Sequence, residues 1–176
     1  MHPVGHYWVM DGVPKEIDVG AHRLVLRAWG MEHAGRLLAA VEASLPELRP
    51  WMPWAREPVD IESVRAYLED HGTATAFGLF DADGEVVGAL GLHDRQGPGT
   101  LEIGYWVRSD RTGRGYATAA ARALTEVGFA CFPDVDRMMI RCHPDNRASA
   151  AIPPKLGYRL DTDRIDDHLV WVRSRC

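Results

Sequence analysis

The segment with the clearest capacity for chemistry is Thr112-Gly113-Arg114-Gly115-Tyr116-Ala117, which follows an apolar-rich run and opens a helical pattern. A strand that passes through small residues into a helix start gathers unpaired backbone N–H groups at the positive end of the helix dipole, and that arrangement attracts phosphate. Gly113, Gly115 and Ala117 keep side chains out of the approach, while Arg111 and Arg114 add positive charge. A ligand with a pyrophosphate could sit here. A purely structural strand-to-helix junction is the alternative, and the turn alone does not separate the two.

Spacing narrows the ligand. A dinucleotide fingerprint needs a small residue three positions after its second glycine; counted from Gly113 and Gly115 that position is Thr118, and no acidic-tipped βαβ repeat follows. A P-loop needs Gly-Lys-Ser/Thr, which the chain lacks. Cys131, Cys142 and Cys176 are odd in number and show no C-x-x-C spacing, which argues against a disulfide framework or a structural zinc site. They read as small hydrophobes plus a terminal thiol, in keeping with a reducing cytosol. His143 beside Cys142 has no partner at ligand spacing, so no metal is expected.

The elements that must position this turn follow from periodicity. His22–Trp29 alternates and reads as a first strand after a loose leader over residues 1–20. Ala34, Leu37, Leu38 and Val41 recur at helical spacing between Met31 and Ser44, and a second helix runs from Asp60, an N-cap, to Asp70. Pro46–Pro58 carries four prolines with Trp51 and Trp54, so it cannot be one helix and is expected to be a structured loop. Thr73–Phe80 and Glu85–His93 flank an Asp-Gly turn signal, and Leu101–Arg108 completes a three-stranded meander. Gly115–Cys131 is helical, with Ala120, Leu124, Val127 and Cys131 on one face. A strand at Arg137–Cys142, a short helix at Asn146–Leu156 and strands at Tyr158–Asp161 and His168–Arg173 end the chain.

The 176 residues, 46% hydrophobic, suit one domain, with no repeat or linker to mark a second. A net charge of −5 offers no general attraction to nucleic acid or anionic membranes. The N-terminus lacks a basic, then apolar, signal pattern, and no run reaches the roughly 20 apolar residues of a membrane span. A cytoplasmic protein is expected, with no nucleic-acid or membrane partner; a homodimer is an assembly left open.

Several segments together resemble the GNAT acetyltransferase superfamily. Its turn motif reads Q/R-x-x-G-x-G/A, and here it stands as Thr112-x-x-Gly115-x-Ala117, with threonine in the first place. Arg23-Leu24-Val25-Leu26-Arg27, Leu48-Arg49-Pro50-Trp51-Met52-Pro53-Trp54, Glu102-Ile103-Gly104-Tyr105-Trp106-Val107, and Asn146-Arg147-Ala148-Ser149 followed by Lys155-Leu156-Gly157-Tyr158 resemble its RimJ/RimL-type branch, the ribosomal-protein N-terminal acetyltransferases. The resemblance spans residues 20 to 173. It implies an α/β (α+β) fold: a mixed, mostly antiparallel sheet of about seven strands flanked by about four helices, with a splayed strand pair that binds acyl-coenzyme A.

It also implies roles. Acetyl-coenzyme A would lie against Trp106, Val107, Arg108, Thr112, Gly113, Arg114, Gly115, Tyr116, Ala117, Thr118, Asn146 and Ser149, with a backbone N–H in the 106–108 stretch polarising the carbonyl. Glu102 would act as base, directly or through water, although a glutamate near a strand end also reads as a solvated face. Ser149 would be the acid in place of the tyrosine that many relatives carry, or a residue of the first helical turn bonded locally. Asn146 would touch the pantetheine and is equally a good N-cap. Trp51, Trp54 and Tyr105 would line the acceptor pocket or fill the core. Pro153 and Pro154 are expected to stop or kink the last helix near Ile152. The acceptor implied is a primary amine, a protein or peptide α-amine first; small-molecule amines and a non-catalytic acyl-coenzyme A binding module are the alternatives.

Overall fold

The strands, alternating or apolar throughout, form a single open sheet with helices on both faces. The computed structural model describes residues 12–71 and 75–175. β1 (Glu16–Asp18) and β2 (Val25–Ala28) form a hairpin, then come helices α1 (Ala34–Glu42), α2 (Leu45–Leu48) and α3 (Ile61–His71). β3 (Ala76–Phe80), β4 (Val86–His93) and β5 (Thr100–Val107) are the meander, and α4 (Tyr116–Cys131) leads to β6 (Arg137–Cys142). The one-turn α5 (Arg147–Ala150), β7 (Arg159–Ile165) and β8 (His168–Ser174) complete the chain. The eight strands make one sheet in the order β1-β2-β3-β4-β5-β6-β8-β7. Every pairing is antiparallel except β5 with β6.

The two sheet faces carry two apolar layers. Leu24, Leu26, Phe77, Leu79, Ile103 and Met138 pack with Ala120, Ala121 and Leu124 of α4. On the other face Leu37, Ala40 and Val41 of α1 and Val64 and Leu68 of α3 pack with Phe80, Val86 and Ala89. The buried stripe of α4 is Ala120, Ala121, Leu124, Thr125 and Gly128, so Val127 and Cys131 stand at its margin and not, as expected, in its centre. A Cβ at Gly128 would come within 2.7 Å of Met138 Cε, so any larger residue there would have to push that methionine tip aside.

The sheet holds eight strands where about seven were expected. The extra one is β1, inside the stretch read as a loose leader: Val13, Ile17 and Val19 are buried, and Glu16, Ile17 and Asp18 pair with Arg27, Leu26 and Val25. Three residues are too few for alternation to announce a strand. Residues 1–11 of that leader, Thr73 and Ala74 of the expected third strand, and Cys176 lie outside the described residues. The proline-rich loop contains α2 and a 3-10 turn at Pro53–Arg56. α5 stops at Ala150, a 3-10 turn occupies Pro153–Leu156, and the break falls at Ile152 as the proline pair requires. Among the described residues no helix is long and apolar enough to cross a membrane.

Candidate active site

The parallel pairing of β5 with β6 lasts for three positions, Thr100↔Arg137, Leu101↔Met138 and Glu102↔Met139. Beyond Glu102, β5 continues to Val107 against β4 and β6 continues to Cys142 against β8, and the two strands part. Arg108 N–H donates to Val87 O at 2.9 Å. Strand alternation then turns Trp106 N–H toward β4 as well and leaves the N–H groups of Tyr105 and Val107 facing the wedge. Of the three backbone donors expected to face the acyl group, Arg108 is therefore spent within the sheet, and Val107 is the one that looks into the gap.

At the open end of β5 lies the glycine-rich turn. Gly113 and Gly115 have φ of +74° and +81°, a region that residues with a Cβ enter at a cost, and a Cβ at Gly113 would meet nothing within 4 Å. Gly115 is the N-cap of α4 and offers no side-chain cap. The first intrahelical bond runs from Ala119 N–H to Gly115 O, so the N–H groups of Tyr116, Ala117 and Thr118 emerge from the helix end. A 3-10 turn at Ser109–Arg111 anchors this segment: Ser109 N–H donates to the buried Ser44 Oγ at 3.1 Å, and Ser109 Oγ donates to Glu47 at 2.9 Å. Thr112 Oγ1 donates to Ser109 O at 2.9 Å, which tightens the turn from within. Arg108 is bidentate to Asp110, at 2.7 and 2.8 Å. Arg114 is exposed, and the buried Nε of Arg111 has no hydrogen-bond partner among the described residues. An uncapped helix end and an open glycine cradle suit a phosphate-bearing coenzyme.

The wedge opens into a cleft of about 1030 Å³. Trp51, Trp54, Tyr105, Trp106, Glu102, Asn146 and Ser149 all line it. Trp54 lies 6.2 Å from Trp106 and Trp51 lies 5.6 Å from His143, centroid to centroid. Trp54 is 43% exposed, so it is a cleft wall more than a core residue. Tyr105 differs from the tryptophans: alternation turns it to the α4 face of β5, opposite Glu102 and Trp106, and its hydroxyl meets Ser149. Burial pushes its phenol far above the ordinary tyrosine range. Asn146 caps α5 by accepting from Ser149 N–H at 3.1 Å.

Glu102 is only 6% exposed and is not the solvated face that a strand-end glutamate suggests. Its Oε2 accepts from Gln96 Nε2 at 2.9 Å and Arg141 Nε at 3.0 Å, and its Oε1 accepts from Arg141 Nη2 at 3.2 Å. A carboxylate oxygen has two lone-pair directions, so Oε2 is filled and Oε1 keeps one. Sequence reasoning missed Arg141 and Gln96. Arg141 sits in a six-residue strand whose charged positions look alike, and Gln96 lies in a loop with no pattern. It missed His93 as well: the ring lies over Gly91 and Gly104, where a Cβ would come within 3.0 and 3.3 Å of its Nε2. Two glycines facing each other across β4 and β5 were the available signal. His143 and His168, 5.8 Å apart, line the far wall. Among the described residues no cluster of three or more His, Cys, Asp or Glu could hold a metal.

A splayed parallel strand pair running from a glycine-rich helix start to a buried carboxylate defines an acyl-transfer fold. The profile of the acetyltransferase (GNAT) domain matches residues 23–159, and the chain belongs to that family and is an acetyltransferase. Among curated proteins, Bacillus subtilis YdaF, named provisionally as a ribosomal N-acetyltransferase, is 27% identical over 145 residues, 77% of each chain. Among solved structures, RimL, a ribosomal L7/L12 α-N-protein acetyltransferase in complex with coenzyme A, superimposes with a TM-score of 0.72 at 22% identity. That match covers 90% of this chain and 97% of the other. The microcin C7 self-immunity acetyltransferase MccE, in complex with acetyl-coenzyme A and AMP, gives 0.75 at 19% identity over 92% and 97%.

Proposed function

We propose that the chain moves an acetyl group from acetyl-coenzyme A to a primary amine, foremost the N-terminal α-amine of a protein or peptide, by direct transfer in a ternary complex. The observation that carries this reading is the wedge itself: β5 and β6 part beyond Glu102, the aromatic cleft opens between them at Tyr105, Cys142 and Ser149, and β5 leads along the chain to the uncapped start of α4. The N–H groups of residues 116–118 would hold the pyrophosphate, with Thr112, Gly113, Arg114 and Arg111 around it. The pantetheine arm would replace the missing rungs between β5 and β6, and Val107 N–H would polarise the acyl carbonyl. Acetyl-coenzyme A supplies the activated acyl group. The chain supplies orientation and proton handling.

Glu102 would receive the proton of the acceptor nitrogen, directly or through water, at the one lone pair that Arg141 and Gln96 leave on Oε1. Ser149 would donate a hydrogen bond to the departing thiolate, and Trp51 and Trp54 would bracket the acceptor. An α-amine has a pKa near 7.7 to 8.0 and a lysine near 10.4, so at pH 7 the neutral lysine is rarer by a factor worth about 3.4 kcal/mol. With a single ion-paired carboxylate as base, the α-amine is the easier acceptor. The relatives named for ribosomal-protein acetylation point the same way.

Calorimetry with coenzyme A tests the coenzyme half, since ligand at about 100 times its Kd also adds about 2.7 kcal/mol of stability. No heat and no thermal shift would end this reading. Thiol release on panels of peptides and of small amines tests the acceptor half. Turnover confined to small amines would move the assignment to a small-molecule acetyltransferase, an acceptor class for which a cleft this wide also has room.

A further inference from the structure

Ser149 stands on a helix too short to hold it. α5 has four residues, and Pro153 and Pro154 begin a 3-10 turn in place of further helix. An isolated turn of helix orders little by itself. The serine is nevertheless specified at three atoms. Its N–H donates to Asn146 Oδ1 at 3.1 Å, its Oγ donates to Tyr105 Oη at 3.2 Å, and its carbonyl accepts from Tyr105 Oη at 3.2 Å. Tyr105 belongs to β5, three residues past the last rung shared with β6, whereas Ser149 follows β6. The pair thus ties together the two walls of the wedge.

Resting on the acetyl-coenzyme A reading, we infer that Tyr105 is the positioning residue of the acetyl transfer: it aims the Ser149 hydroxyl at the departing coenzyme A sulfur, supplying from β5 the rigidity that the truncated α5 lacks. The phenol stays protonated because burial disfavours its anion, so it is a fixed donor to Ser149 O and a fixed acceptor for Ser149 Oγ. Without that acceptor the serine hydroxyl is left to the neighbouring Cys142 thiol or to its own backbone, the usual partner of serine in a first helical turn. In the transfer, the acceptor nitrogen forms the new C–N bond, the C–S bond breaks and its electron pair stays on sulfur. The Ser149 O–H rotates about Cβ–Oγ from Tyr105 to that sulfur with no heavy-atom movement and stabilises the thiolate; the nitrogen proton passes to Glu102 and on to solvent, and solvent returns one proton to the departing sulfur. Thioester and amine become amide and thiol, and nothing is oxidised or reduced. Tyr158 provides the contrast: its hydroxyl bonds Thr125 Oγ1 at 2.8 Å, both are buried in the core under α4, and neither lines the cleft.

The experiment compares full-length wild type with Tyr105→Phe, Ser149→Ala, their combination, and Tyr158→Phe as the measure of a buried hydroxyl lost for structure alone. For each, kcat and KM with acetyl-coenzyme A are read beside the Kd for coenzyme A from calorimetry and the Tm. Tyr105→Phe should lower kcat about 5- to 10-fold, the worth of one neutral hydrogen bond, with coenzyme A Kd within about 2-fold. Ser149→Ala should lower it at least as much, and the double variant should match Ser149→Ala in kcat, because the bond Tyr105 keeps to Ser149 O in that variant positions no group that meets the sulfur. Tyr158→Phe should lower Tm and leave kcat alone. Losses that multiply in the double variant, a Tyr105→Phe rate equal to wild type, or an equal fall in Tyr158→Phe would each overturn the inference. Absence of coenzyme A binding in every protein, wild type included, would instead overturn the coenzyme reading beneath it.

Discussion

Replacing Arg141 by methionine is the sharpest test of how Glu102 is held. Arg141 supplies two of the three hydrogen bonds on that carboxylate, leaving only Gln96 at 2.9 Å on a side chain that is 8% exposed. Removing one partner of a buried ion pair costs about 3–5 kcal/mol, because the other charge is stranded. Here the arginine is 18% exposed, and its outer nitrogen reaches toward the solvent-facing Asp166 at 3.8 Å, so water shares the screening and the cost falls to about 2–3 kcal/mol. For a chain of this length, that lowers Tm by about 4–12 °C. The double variant Glu102→Gln with Arg141→Met leaves no stranded charge and should recover about 2 kcal/mol relative to Arg141→Met alone. Urea unfolding followed by tryptophan fluorescence reads both numbers. A single variant within about 0.5 kcal/mol of wild type, or costs that simply add in the double, would refute the view that the pair is buried and mutually dependent.

Three further outcomes follow from the same geometry. Glu102→Gln should cut kcat more than 10-fold near neutral pH and leave coenzyme A affinity intact; rates like wild type across pH would remove Glu102 from the proton path. Gly115→Ala must hold φ near +81°, which costs about 1–2 kcal/mol, and should weaken coenzyme A binding measurably by calorimetry as the helix-end N–H groups turn away. Burial lowers the pKa of His33, with Gly30 N–H donating to its Nδ1 at 3.0 Å, so the folded state binds its proton more weakly than the unfolded chain. Stability from this group is present above pH 6.5 and lost as pH falls below it, and His33→Gln should flatten that acid limb in unfolding curves recorded from pH 7 to 5.

The fold was legible wherever a pattern had room to repeat. Val86–His93 and Arg137–Cys142 run to within a residue of where alternation and burial placed them, and the Pro153-Pro154 pair announced the broken last helix. β1 was invisible because three residues cannot show a period, and Ile17 is buried only once the hairpin with β2 joins the core that the later strands and α4 complete. At the site, the glycine-rich turn announced itself because left-handed backbone leaves a glycine signature. Glu102, Tyr105 and Ser149 were named by resemblance, yet what each side chain touches was not legible. Arg141 reaches Glu102 across 39 positions and Tyr105 reaches Ser149 across 44, and such pairings depend on a register that only the assembled sheet supplies.

The three-rung junction between β5 and β6 also governs the mechanics of the molecule. Every other neighbour in the sheet is joined by antiparallel pairing, so β1–β5 and β6–β8 are two antiparallel groups that meet at one short parallel seam, with α4 connecting them across one face. A ligand lying in the wedge would find unpaired backbone on both of its walls, and by bonding to both it would add rungs to the joint between the two groups of strands.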